Sequence, residues 1–186
     1  MPTTRSSRKP RKSEVATAYH EAGHVVAHVA LHLPFLEVSI LPTGNTLGQC
    51  TYKLPPQFNP ELDYDLRNQR RCEHIIIAAL AGHAAERRFM RRSNWPQSSH
   101  DLALAANIAL YMAGSSEAAS AYVNWLRYKA DGLIGNPGWW SVIEALASEL
   151  LRRRRMSSRQ ARTIIREAKE AIVTKYSVKP SSQRGI

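Results

Sequence analysis

Cysteine is scarce: Cys50 and Cys72 are the only two in 186 residues, and no C-x-x-C pair exists. That excludes a zinc ribbon, a thioredoxin-type redox site and a disulfide-built scaffold, and leaves two free thiols in a reducing compartment as the expectation. Long apolar runs are also missing. The best stretches, residues 25–36 and 75–81, are too short or are interrupted by histidine and proline, well under the roughly 18 residues a membrane span requires. The basic start has no apolar run behind it and is not a secretory signal, so the sequence predicts a cytoplasmic protein. No G-x-x-x-x-G-K-[ST] phosphate loop occurs, so these residues offer no P-loop route to ATP hydrolysis.

Acidic residues are rare at both ends. Residues 1–12 carry +5, residues 13–150 carry −3 and residues 151–186 carry +9, which together make the net +11. The basic character therefore belongs to the ends, and a pI near 10.1 is weak evidence for a nucleic-acid-binding body. An apolar fraction of 44% with 22% charged residues is that of an ordinary globular domain. The composition predicts a disordered basic arm over 1–12, one domain over 13–176 and a flexible tail over 177–186.

The periodicity predicts a mostly α fold with one small β-hairpin. A helix capped by Ser13 should run over 14–33 and stop at Pro34; strands 36–41 and 47–54 should form the hairpin around Pro42, Gly44 and Asn45. Asn59, Pro60 and Glu61 read as the start of a long central helix reaching Met90. Ser98 with Asp101 resembles a capping box for a helix ending near Ala113. Helices over about 116–134, 138–154 and 157–176 follow, the last opened by Ser157 and Gln160 at capping-box spacing. Trp139 and Trp140 read as core.

The strongest chemical signal is His20-Glu21-Ala22-Gly23-His24, an H-E-x-x-H motif expected by chance only about 0.015 times in this composition. Inside a helix, residues i and i+4 share a face, so both imidazoles can reach one metal ion, with Glu21 beside an open coordination position as general base. His28 and His32 continue the same ladder, the pattern a merely polar helix face would also show. A catalytic zinc needs a third protein ligand. A histidine six residues beyond His24 would supply it, but Ala30 stands there. Glu73, Glu86, Asp101, His74, His83 and His100 remain as donors.

The chain resembles the FtsH-type, M41 zinc metallopeptidase domain. The resemblance runs through Ala18-Tyr19-His20-Glu21-Ala22-Gly23-His24, Leu47-Gly48 ahead of Leu54-Pro55, Ala81-Gly82-His83-Ala84-Ala85-Glu86, and Asp101-Leu102 with Ala105, and covers residues 14–113 well. It implies an M41-like zincin fold, a Zn2+ cofactor held by His20, His24 and Asp101, and Glu21 as catalytic base, with Glu86 in support. This chain departs from the family pattern by one extra residue between Gly48 and Leu54, which predicts a bulged or shifted strand. It also has Ala81 for a glycine, His83 for an arginine and His100 for an asparagine.

The resemblance implies a metalloendopeptidase acting on polypeptides. With no phosphate loop, the expectation is a standalone enzyme for flexible or unfolded chains, or one served by a separate unfoldase or adaptor; oligomerisation is left open. Cys50 is placed near the cleft, or is simply a buried small side chain. The rival reading is a non-catalytic zinc-containing binding protein whose basic ends, Arg152 to Arg155 above all, contact nucleic acid or an acidic partner.

Overall fold

The computed structural model describes residues 10–43, 47–52, 65–92 and 99–177. Six helices and three short strands follow one another as α1 (Lys12–Ala30), β1 (Glu37–Ser39), β2 (Gln49–Thr51), α2 (Leu66–Met90), α3 (His100–Ala113), α4 (Ser116–Gly135), α5 (Pro137–Arg153), β3 (Arg155–Ser157) and α6 (Ser158–Ser177). The mostly α architecture with a small sheet is as the periodicity predicts. No helix of the described residues is long and apolar enough to cross a membrane.

The helix boundaries differ from the sequence expectation where local hydrogen bonds override pattern. Ser13 lies inside α1 rather than capping it; Arg11 is the N-cap and its N–H donates to Glu14 Oε2 at 3.3 Å. At the other end, α1 stops before Pro34. Leu33 N–H donates to His28 O at 2.8 Å and His32 N–H to Val29 O, with His32 at φ 56°, the double reversal that closes a helix in a left-handed residue. The long helix starts from Asp65, whose carboxylate accepts Asn68 N–H at 2.6 Å; Asn59, Pro60 and Glu61 lie outside the described residues. Ser99, not Ser98, caps α3, with Ser99 Oγ accepting Leu102 N–H at 3.1 Å; Ser98 lies outside the described residues. Ser157 and Gln160 do form the reciprocal pair, at 2.9 and 3.3 Å.

α1 lies against α2 on one side and α5 on another, while α2 also packs on α3 and α4. Ile76, Leu80, Leu126, Ile143, Leu146 and Leu150 are fully buried between them, each contributing about 1.5–3 kcal/mol of transfer free energy. Close approach of α1 to α2 depends on small residues: a Cβ on Gly23 would lie 2.6 Å from Ala81 O and 2.7 Å from Ala85 Cβ. Trp139 and Trp140 are partly buried against this core, and Trp140 stacks on Tyr19 at 5.5 Å.

The sheet has the order β2-β1-β3, antiparallel throughout. Val38 faces Cys50 on one side and Met156 on the other. Over Gln49–Thr51 the pairing with β1 is regular, without the bulge the additional residue predicts; Leu54 lies outside the described residues. β3 was not legible in the sequence. It takes only the last arginine of the run, Arg155, with Met156 and Ser157, while Arg152 and Arg153 end α5 and Arg154 caps it, as the helix-end reading expects. Arg152 and Arg153 pair with Glu149, Arg154 with Glu14 and Arg155 with Glu37, so all four guanidinium groups have carboxylate partners within the chain.

Candidate active site

Crossing α1 over α2 and closing α3 against both brings His20, His24 and Asp101 together. His20 Nε2 lies 3.0 Å from His24 Nε2 and 3.2 Å from Asp101 Oδ2, and His24 Nε2 lies 3.4 Å from Asp101 Oδ2. The first two residues are one helical turn apart, as the motif requires; Asp101 comes from the first turn of α3, held there by the Ser99 cap. These edges match the roughly 3.3 Å separation of ligand atoms around a tetrahedral ion with bonds of about 2.0–2.1 Å.

Both imidazoles are oriented from behind. His24 Nδ1–H donates to Ala78 O at 2.8 Å and His20 Nδ1–H to Glu86 Oε2 at 3.3 Å, the arrangement in which Nε2 is left to a metal and the carboxylate raises ligand basicity. Glu86 thus supports His20, although His20, His83 and Glu86 also form a second group whose ligand atoms all lie within 4.8 Å of one another. The floor is Gly82. A Cβ there would fall on His24 Nε2 and lie 2.8 Å from His20 Nε2, so only glycine keeps the space before the two ligand nitrogens open. The residues present therefore fit a small tetrahedral ion of the zinc type.

Charge in the triad is balanced by protons when no ion is present. Burial opposes charging of His20, yet hydrogen bonds to Asp101 and Glu86 outweigh it and raise its pKa to about 10. Burial also opposes the Asp101 carboxylate, but the neighbouring His24 and His20 hold it well below the usual carboxylate range. A divalent cation would displace those protons. Glu21 is different. It is 4% exposed, burial pushes its carboxyl up against the opposing pull of His24 and His20, and Oε2 has no hydrogen-bond partner. Gly48, just before β2, lies over it: a Cβ there would stand 2.6 Å from Glu21 Oε1. A buried carboxylate oxygen without a partner costs about 1–3 kcal/mol or more.

These groups line a cleft of about 1030 Å³, bounded by α1, α2, the start of α3 and β2. Cys50 lines it from β2, half-buried and unpaired, while Cys72 is buried in the core. Of the remaining donors the sequence leaves open, Glu73 accepts from Tyr122 Oη and His74 Nδ1–H donates to Leu31 O, both away from the triad. His83 lies beside it, with Nε2 2.7 Å from Ser99 Oγ, where it braces the cap that places Asp101. Gly82, Gly48 and Ser99 went unrecognised in the sequence as site residues. Gly82, a glycine in the middle of an alanine-rich helix, and Gly48, within a segment shared with the family pattern, carried a visible signal.

The profile of peptidase family M41 matches residues 7–132, and the chain belongs to that family. It is similar to the ATP-dependent zinc metalloprotease FtsH of Haemophilus influenzae, 36% identical over 104 residues, which is 54% of this chain and 15% of that protein. The FtsH of Buchnera aphidicola is 34% identical over 111 residues, 58% of this chain and 17% of the relative. A mitochondrial inner membrane m-AAA protease component of Saccharomyces cerevisiae is 38% identical over 86 residues, 45% and 10% of the two chains. The match thus spans well under a fifth of each relative's length.

Proposed function

We propose that this chain is a zinc metallopeptidase that hydrolyses peptide bonds in flexible or unfolded polypeptides and needs no ATP of its own to do so. One observation carries the reading: three mutually adjacent ligand atoms of His20, His24 and Asp101 share a cleft with the unpartnered carboxylate of Glu21. Zinc held by that triad supplies Lewis acidity, polarising a carbonyl and lowering the pKa of a water towards about 7. Glu21, its basicity raised by burial, takes the proton from the attacking water and returns it to the leaving amine. Glu86 and Ala78 O keep the two imidazoles aimed. β2 is the outer strand of the sheet, and an extended peptide adding to its outer edge would bring its backbone along the cleft. Strand addition needs several residues freed from their own fold, which favours flexible substrates.

The test is cleavage of a casein-like protein and of a stable globular protein, with and without chelator and ATP, by the wild type and by Glu21→Gln. Chelator-sensitive, ATP-indifferent cleavage of the first substrate alone is expected. No cleavage by the wild type on a broad panel of unfolded substrates would reject the reading in favour of a zinc-containing binding protein. Arg152 to Arg155, the feature that the rival reading leans on, are ion-paired within the chain.

A further inference from the structure

The cleft continues beyond the triad towards the C-terminal end of α1, where its character changes. Its lining includes Leu33, Pro34, Ile75, Ala79 and Tyr52, with Arg71 as the charged member. In this mostly apolar surround stands His28, one turn past His24 on the same face of α1 and 4% exposed. Its ring sits between Phe35 and Tyr52, with centroids at 6.1 and 5.1 Å. Nδ1–H donates to Pro34 O at 3.0 Å, which fixes the tautomer and leaves Nε2 as an acceptor.

Nε2 has no hydrogen-bond partner among the described residues. Nor is it sealed: His28 lines the cleft, and its Nε2 is not among the fully buried side-chain atoms that lack a partner. An acceptor that is open to the cleft and flanked by apolar rings is satisfied by whatever enters, and burial, with the charges of His24 and of Arg162, which lies over Phe35, keeps the imidazole neutral. Taking the peptidase reading as its basis, we propose that His28 makes this end of the cleft a specificity subsite for a large side chain with a hydrogen-bond donor at its tip, tyrosine or tryptophan, on a residue flanking the scissile bond. The apolar walls suit the ring, and the imidazole nitrogen accepts the phenol O–H or indole N–H. A phenylalanine would fill the same space and leave the acceptor without a donor, so the subsite disfavours it.

The experiment uses paired peptides identical except for Tyr or Phe at each position flanking the cleaved bond. The wild type should cleave the Tyr peptide with a kcat/KM about tenfold higher at one of those positions, the size expected for an unsatisfied acceptor. His28→Leu should bring that ratio to about one. Because His28 packs between two rings, peptide affinity is also measured on the folded Glu21→Gln variant, where the same Tyr-over-Phe preference should appear without turnover. Cleavage with a Tyr/Phe ratio near one at every position would overturn the subsite alone. Preference that survives in a folded His28→Leu would assign the donor contact elsewhere and overturn it as well. Absence of both cleavage and binding for all peptides would remove the peptidase reading and the subsite with it.

Discussion

The crossing of α1 and α2 and the junction of α5, β3 and α6 are built on opposite rules. At the crossing, Gly23 lets α1 approach the α2 backbone at Ala81 and Gly82 leaves room for the His20 and His24 rings, and Glu21, His24, His28 and His83 are the buried polar residues of the described structure. At the junction the core is apolar, with Leu150, Met156, Ala161 and Ile165 buried, and the arginines 152–155 are ion-paired around it. The first region accepts an unpaired carboxylate oxygen; the second leaves no arginine of the run 152–155 without a carboxylate. A region that leaves a buried carboxylate oxygen unpaired, beside one that pairs its arginines, has the character of a functional region. The C-terminal region supplies the frame: Ile40 N–H donates to Arg154 O and Ser158 N–H to Leu36 O, so the arginine run secures the sheet whose far strand borders the cleft.

The largest expected effect is on the metal. Asp101→Ala should empty the site and abolish activity, and Gly82→Ala should do the same by placing a methyl group before the ligand nitrogens; metal analysis of the purified variants checks both. Glu86→Ala should retain the ion with about 10–100-fold weaker affinity, the usual cost of losing a partner behind a ligand. Complete loss in Glu86→Ala, with retention in Asp101→Ala, would move the ion to the group formed by His20, His83 and Glu86. Next comes Glu21→Gln, which should lower turnover by roughly 10² to 10⁴-fold with metal content unchanged. Because the replaced group is a buried carboxylate, the thermal midpoint should not fall. A drop in midpoint would mean that Glu21 stabilises the fold after all.

A third prediction concerns pH. Burial lowers the His28 pKa to about 4 from an ordinary 6.5, so between these values the unfolded chain binds more protons than the folded one. Stability is therefore complete above about pH 6.5 and is lost as pH falls towards 4, by up to about 3 kcal/mol. Denaturant titrations of the wild type and His28→Gln across that window should differ in slope, the variant being flatter; parallel curves would show that His28 is protonated in the folded state. The smallest effect is expected at the junction. Arg154→Ala removes the partly exposed pair with Glu14, which should cost no more than about 1 kcal/mol and leave metal content unchanged.

Much of the fold was legible because its helices are long and periodic. The H-E-x-x-H helix, the antiparallel hairpin around residues 37–51 and the Ser157–Gln160 pair need only local spacing. β3 was not legible: Arg155-Met156-Ser157 has no strand pattern of its own and becomes a strand by pairing with β1, which lies well over a hundred residues away in the chain. The early end of α1 was missed because proline is the more visible stop signal, whereas the backbone reversal at His32 depends on hydrogen bonds that no residue type announces. Ser98 and Ser99 are indistinguishable as caps until the chain direction is known.

The candidate site divides along the same line. The sequence alone determined that two imidazoles share one face of α1, because helical geometry converts a spacing of four residues into adjacency. Family resemblance, not spacing, singled out Asp101 among six donors. Only the tertiary structure decided that Glu86 stands behind His20, that Gly82 leaves room for an ion, that Glu21 Oε2 has no partner and that His28 opens onto the cleft. Those are contacts between elements dozens of residues apart, set by how closely α1 can approach α2, and no periodicity within either helix encodes that distance.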